Sequence, residues 1–118
     1  MEFDTFSVAL LESQPDAPRL TEAEANSLQN SHLDFLATLH EQGRLQAAGP
    51  FVDPSRGSLR GLCLLRLPAD EVRALLADDP AVRAGTLAVR VLTWTVPKGA
   101  LAFSPTRFPH SQEEVRPA

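Results

Sequence analysis

Apolar positions recur at two different spacings along this chain, and the change of spacing divides it into elements. Between Thr21 and Pro50, Ala25, Leu28, His32, Phe35, Leu36 and Leu39 follow one another at intervals of three and four, which lines them along one side of a long helix. Thr21 followed by Glu24 is a capping signal for its start, because hydroxyl and carboxylate can each satisfy an unpaired amide of the first turn, and Gly43 offers the stop. His32 therefore falls in the middle of an apolar stripe. Arg44 to Ala48 is a short extended candidate ending at the turn pair Gly49-Pro50.

Elsewhere the spacing is two. Phe3 to Leu11 predicts a strand with Phe6, Val8 and Leu10 on one face. Pro15 and Pro18 make the next segment a loop. Leu59 to Leu67 is the clearest strand, its Leu59, Gly61, Cys63, Leu65 and Leu67 face directed to the core and its Arg60 and Arg66 at the ends of the other. Pro68 to Ala77 starts a second helix with Asp70 as its cap, broken at Asp78-Asp79-Pro80 because proline disfavours helical geometry in the residue before it. Ala81 to Gly85 reads as an irregular turn, and Leu87 to Val96 as the last strand, with one aliphatic and threonine face and one carrying Arg90 and Trp94. After Pro97 the alternation stops; Leu101, Phe103 and Phe108 are anchors for a proline-containing tail whose end, Ser111 to Ala118, is expected to fray.

Strand, helix, short strand, strand, helix, strand is the split alternation of an α+β, ferredoxin-like sheet with both helices on one side. The other face then needs cover, and a second copy predicts a homodimer with a barrel-like interior, a dimeric α/β barrel. The alternative is a monomeric sandwich covered by its own tail.

Composition narrows the function more than the fold. A length of 118 residues suits one domain, with modest burial for a monomer. A net charge of −4 without a concentrated basic patch argues against nucleic acid; Arg56 and Arg60 come nearest to one and read as a solvated loop and strand edge. Neither a leader pattern nor a long apolar run is present, so the expectation is a cytoplasmic protein with no membrane partner. Cys63, the one cysteine, reads as a small buried hydrophobe. Gly57 alone makes no phosphate cradle.

Three dispersed histidines and one strand cysteine supply no metal spacing, so no metal and no cofactor are expected. His40 lies more than about 10 Å along the helix from His32 and reads as a surface or subunit contact. His32 has two readings: a neutral, hydrogen-bonded core histidine, or a general acid or base. Ser7, Arg90 and Trp94 are the candidates for binding a small-molecule ligand, Arg90 as an anion clamp.

Residues 3 to 98 resemble the YCII-related family. The resemblance rests on His32-Leu33-Asp34-Phe35-Leu36, the Gly43 to Ala48 segment leading into Gly49-Pro50, and Asp79-Pro80-Ala81-Val82-Arg83-Ala84-Gly85. It implies a domain over 1–98 followed by a tail over 99–118. It also implies a dimeric barrel of ferredoxin-like halves, and a histidine and aspartate pair that maps onto His32 and Asp79; without it, Asp79 reads as a cap beside Pro80. Ala81 departs from the family pattern, which usually carries an aromatic residue there. The function this implies is metal-independent acid-base catalysis on a small polar or aromatic metabolite, of lyase, dehydrohalogenase or isomerase type. Its alternatives are a non-catalytic small-molecule binding module and a dimeric structural module.

Overall fold

The computed structural model describes residues 1–115, and it places β1 (Phe3–Ser13), α1 (Glu22–Glu41), β2 (Leu45–Pro50), β3 (Leu59–Leu65), α2 (Ala69–Leu76), α3 (Pro80–Arg83), β4 (Leu87–Pro97) and α4 (Gln112–Val115) in that order. The start of α1 is closed as the sequence predicts: Glu24 N donates to Thr21 Oγ1 at 3.1 Å while Thr21 N donates to Glu24 Oε1 at 3.0 Å. Hydrogen bonding from Thr21 to the Glu24 carboxylate, from its backbone foremost and then its side chain, holds that carboxyl below its ordinary value. At the other end Gly43 takes a φ of 77°, the left-handed geometry that turns the chain out of the helix into β2.

The four strands form one antiparallel sheet in the order β2-β3-β1-β4. Its register sets Ala9 between Cys63 and Val91, so the period-two alternation puts Ala9, Leu11, Cys63, Leu65 and Val91 on one face. Leu36 and Leu39 of α1 and Val72 and Leu76 of α2 pack on that face and form the main core with it. Each fully buried leucine there contributes about 1.5–3 kcal/mol, which is why the face is dictated by pattern.

The opposite face is where the structure corrects the sequence reading. The expected dimeric α/β barrel of ferredoxin-like halves is not formed: this is a mixed α/β fold whose four-stranded antiparallel sheet stays open, with β2 and β4 as its edges. The four strands of one chain are too few to close on themselves, since a filled barrel takes about eight, so the sheet of this chain stays open. Part of the cover comes from the chain itself. Leu101 and Phe103 of the tail pack on the second cluster, Phe6, Leu64 and Val96. Phe103 meets Phe6 edge-on at 6.0 Å between ring centres, and the Arg66 guanidinium lies over both rings, 5.2 and 5.7 Å from their centres. Leu92 and Trp94, further along the face, keep 43% and 44% of their surface exposed.

Smaller differences have local causes. Pro68, not Asp70, stands at the N-cap of α2, without a side-chain cap bond; Asp70 sits in the first turn and pairs with Arg73 at 2.7 Å in water, where such a pair adds little. The segment after Asp79 is a regular helical turn, Pro80–Arg83, because Asp79 caps it and proline suits its first position. Residues 112–115, expected to fray, form α4; residues 116–118 of that expectation lie outside the described residues. Among the described residues no helix is long and apolar enough to cross a membrane.

Candidate functional site

A cavity of about 890 Å³ opens between α1, the β2 and β3 ends of the sheet, α3 and the tail. That is ample for a small metabolite, since such sites run to several hundred cubic ångströms. Leu28, Leu33 and Leu36 from α1, Leu11, Leu62 and Cys63 from the sheet, and Phe51 and Leu87 give it apolar walls. Gly61 permits the tight end of that wall: a Cβ there would stand 3.1 Å from the Gly49 carbonyl oxygen of β2. Ala81, where the family pattern usually has an aromatic residue, also lines the cavity, so its small side chain leaves volume open.

His32 lines the cavity from α1. Its Nδ1 lies 2.7 Å from Asp79 Oδ2, and Asp79 has no exposed surface. The other carboxylate oxygen, Oδ1, accepts from Ala81 N at 2.9 Å, so one side chain both caps α3 and holds the imidazole. A carboxylate can only accept, which makes Nδ1 the protonated nitrogen of His32 and leaves the Nε2 lone pair for the cavity. His32 itself is 8% exposed, so a base positioned there meets little competing water. The two readings offered for Asp79, cap and partner of His32, are satisfied together by its two oxygens.

Cys63 shares the wall but not the chemistry. Burial, and secondarily the negative charge of Asp79, pushes its thiol up to about 12, so it remains protonated and packs as a small hydrophobe. Among the described residues no group of three or more histidine, cysteine or acidic side chains is placed to hold a metal.

The other candidates lie elsewhere. Ser7 is buried in β1 and its hydroxyl donates to the Leu67 carbonyl at 2.6 Å. Arg90 and Trp94 extend from β4 on the open sheet face, Trp94 with its ring centre 6.4 Å from that of Phe6. None of the three lines the His32 cavity.

In their place the structure brings in Gln29, Arg56, Arg60, Phe108, Gln112 and Val115. Arg56 and Arg60 were visible as the nearest approach to a basic cluster, but strand alternation cannot show that a loop and a strand start fold back over a cavity. The tail residues gave still less, because their positions are set by contacts with α1. His40 stacks on Phe108 with ring centres 3.9 Å apart, and its Nδ1 donates to Leu45 O at 2.7 Å. His110 of the tail sits between two α1 carboxylates, Nδ1 at 2.6 Å from Asp34 and Nε2 at 2.5 Å from Glu41. Those two bonds, with Asp34 the stronger, raise its pKa above the ordinary 6.5. Gln112 N then donates to Asn30 Oδ1 at 2.8 Å and seats α4 on the helix.

Comparison with known proteins follows this geometry. A solved structure of 5-chloro-2-hydroxyhydroquinone dehydrochlorinase from Burkholderia phenoliruptrix, in complex with 2,5-dihydroxybenzoquinone, superposes with a TM-score of 0.52 at 20% identity, covering 75% of this chain and 92% of that one. At that identity the likeness is one of fold. A protein of Arabidopsis thaliana gives a TM-score of 0.37 at 13% identity, covering 84% of this chain and 99% of its own. No curated protein matches the chain. Residues 6–95, which take in β2, β3, most of β1 and β4 and the His32 and Asp79 pair, match the YCII-related domain, and the chain belongs to the YCII-related family.

Proposed function

We propose that this protein is an acid-base enzyme of lyase or isomerase type, with His32 as the proton-transfer group and Asp79 as the residue that positions it. The observation that carries this reading is the 2.7 Å bond from a fully buried Asp79 to the inner nitrogen of a histidine that lines a cavity. A structural histidine needs no cavity beside it. Here the carboxylate fixes the tautomer and stabilises the imidazolium formed when Nε2 accepts a proton.

In an elimination, Nε2 takes a proton from the substrate and the released electron pair expels a leaving group from the adjacent atom; in an isomerisation, the proton returns to a different atom. Both ask the same thing of the protein, a neutral base held without side-chain freedom next to a partly desolvated substrate. The apolar walls suit a small aromatic or mixed polar and apolar body. Elimination also fits the dehydrochlorinase named above, a support drawn from fold likeness alone.

The test is proton exchange. A panel of small aromatic and polar metabolites with acidic C–H bonds is incubated with the protein in deuterated water and followed by NMR for deuterium uptake or conversion. The wild type is expected to exchange or convert a member of the panel, and His32→Ala to lose about 10²–10⁴-fold of that rate. Turnover undiminished in His32→Ala overturns the assignment. Binding without turnover in either protein favours the binding module.

A further inference from the structure

The geometry points to an anion clamp, Arg56 and Arg60, that selects substrates with a carboxylate or phenolate attached to an apolar body. This deepens the proposed function and rests on its placing the reaction in the His32 cavity. The charge balance of the lining is the observation. The chain as a whole carries 15 acidic against 11 basic residues, yet the cavity is lined by two arginines and no aspartate or glutamate. A lining that merely sampled the surface would favour acids.

The Arg60 side chain is also held differently from that of an ordinary surface arginine, while Arg56 is placed through its backbone. Arg60 is half-buried, and its NH1 donates to Gly57 O at 2.8 Å and Leu59 O at 3.0 Å, which fixes the guanidinium and leaves the remaining donors of the fork for a ligand. Arg56 follows a tight turn in which Asp53 accepts from the Ser55 amide at 2.8 Å and Arg56 N donates to Asp53 O at 3.1 Å. The Ser55 hydroxyl also donates to the Asp53 carboxylate, and that bond foremost, with the amide bond second, holds the carboxyl below the ordinary carboxylate range. Among the described residues neither arginine forms an ion pair. Two unneutralised guanidinium groups against apolar walls suit an anionic head on an apolar body, because charge-assisted bonds fix the head while the walls desolvate the rest.

Such a clamp sets orientation. Arg56, Arg60 and His32 line the same cavity, so a ligand held by its anionic group at the arginines shares that space with His32. Arg56 and Arg60 are specificity-determining residues, and the proton transfer stays with His32.

The experiment compares cinnamate with its neutral isostere cinnamamide by titration calorimetry against the full chain. The wild type is expected to prefer cinnamate by about tenfold or more, the effect of one or two charge-assisted bonds. The preference shrinks as sodium chloride is raised, since Arg56 is exposed. It disappears in the Arg56→Gln, Arg60→Gln double variant, whose urea midpoint serves as the folding control. It persists in His32→Ala, which separates the clamp from the catalytic assignment. Equal binding of the two probes, no saturable binding of cinnamate, or a preference surviving in the double variant overturns the clamp. In those cases a rate that still collapses in His32→Ala leaves the proposed function standing.

Discussion

Replacing Asp79 offers the sharpest trial of the site, because it can be read without knowing the substrate. In Asp79→Ala two buried donors lose their acceptor: His32 Nδ1, bonded at 2.7 Å, and Ala81 N, bonded at 2.9 Å. Each orphaned donor costs about 1–3 kcal/mol, and the lost cap of α3 overlaps the second of these, so the total expected is about 3–5 kcal/mol. That is a large part of the stability of a domain this size, about 5–15 kcal/mol. Asp79→Asn has the same shape and a different consequence. Its amide oxygen can still accept from Ala81 N, while its amide nitrogen now donates to Nδ1 and forces the imidazole proton onto Nε2. The loss of stability falls to about 1 kcal/mol, but the nitrogen facing the cavity is no longer a base. Urea unfolding gives the stabilities, and the nitrogen chemical shifts of His32 in a histidine-labelled sample give the tautomer. If Asp79→Ala costs less than about 1 kcal/mol, or if His32 stays protonated on Nδ1 in Asp79→Asn, the positioning role assigned to Asp79 is wrong.

Other outcomes follow from single features. Leu76→Ala, at a fully buried α2 position in the main core, should destabilise by about 2–5 kcal/mol in the same urea assay. Thr21→Ala removes half of the capping box of α1 and should cost about 1 kcal/mol, far less than the core change although the helix it caps is the longest. The tail contact with α1 should depend on pH: the folded pKa of His110 is raised, so its contribution is fully present below about 6.5 and is lost as pH rises through the higher folded value. Hydrogen exchange at the amides of His110 and Gln112, corrected for intrinsic rates, should therefore quicken on the alkaline side, and protection that does not change with pH would count against the contact. Ala81→Phe should reduce the cavity and weaken cinnamate binding, while an unchanged affinity would show that the ligand does not reach α3.

Local pattern was enough for the elements and for one half of the site. The spacing of three and four put His32 inside the stripe of α1, and the alternation of Cys63 and Leu65 with Leu62 and Leu64 put the first pair into the core, because a buried face is enforced at every second or every third and fourth residue. Thr21 and Glu24 announced the cap for the same reason: both partners lie within one turn. Asp79 was a different case. Its distance of 47 residues from His32 carries no periodic signal, and only the family resemblance joined them before the fold did.

Tertiary structure alone decided what closes over those elements. Nothing in the spacing of Leu101, Phe103 and Phe108 says that the tail lays the first two on the open sheet face and the third against His40, since isolated anchors in a proline-containing segment constrain no register. The same holds for Ser7, Arg90 and Trp94, whose faces were legible but whose neighbours were not, and for Arg56 and Arg60, whose place at the cavity depends on how the 51–58 loop returns to β3. A one-dimensional pattern records which side of an element avoids water. It does not record which distant segment meets that side, because that is settled by contacts between residues far apart in the chain.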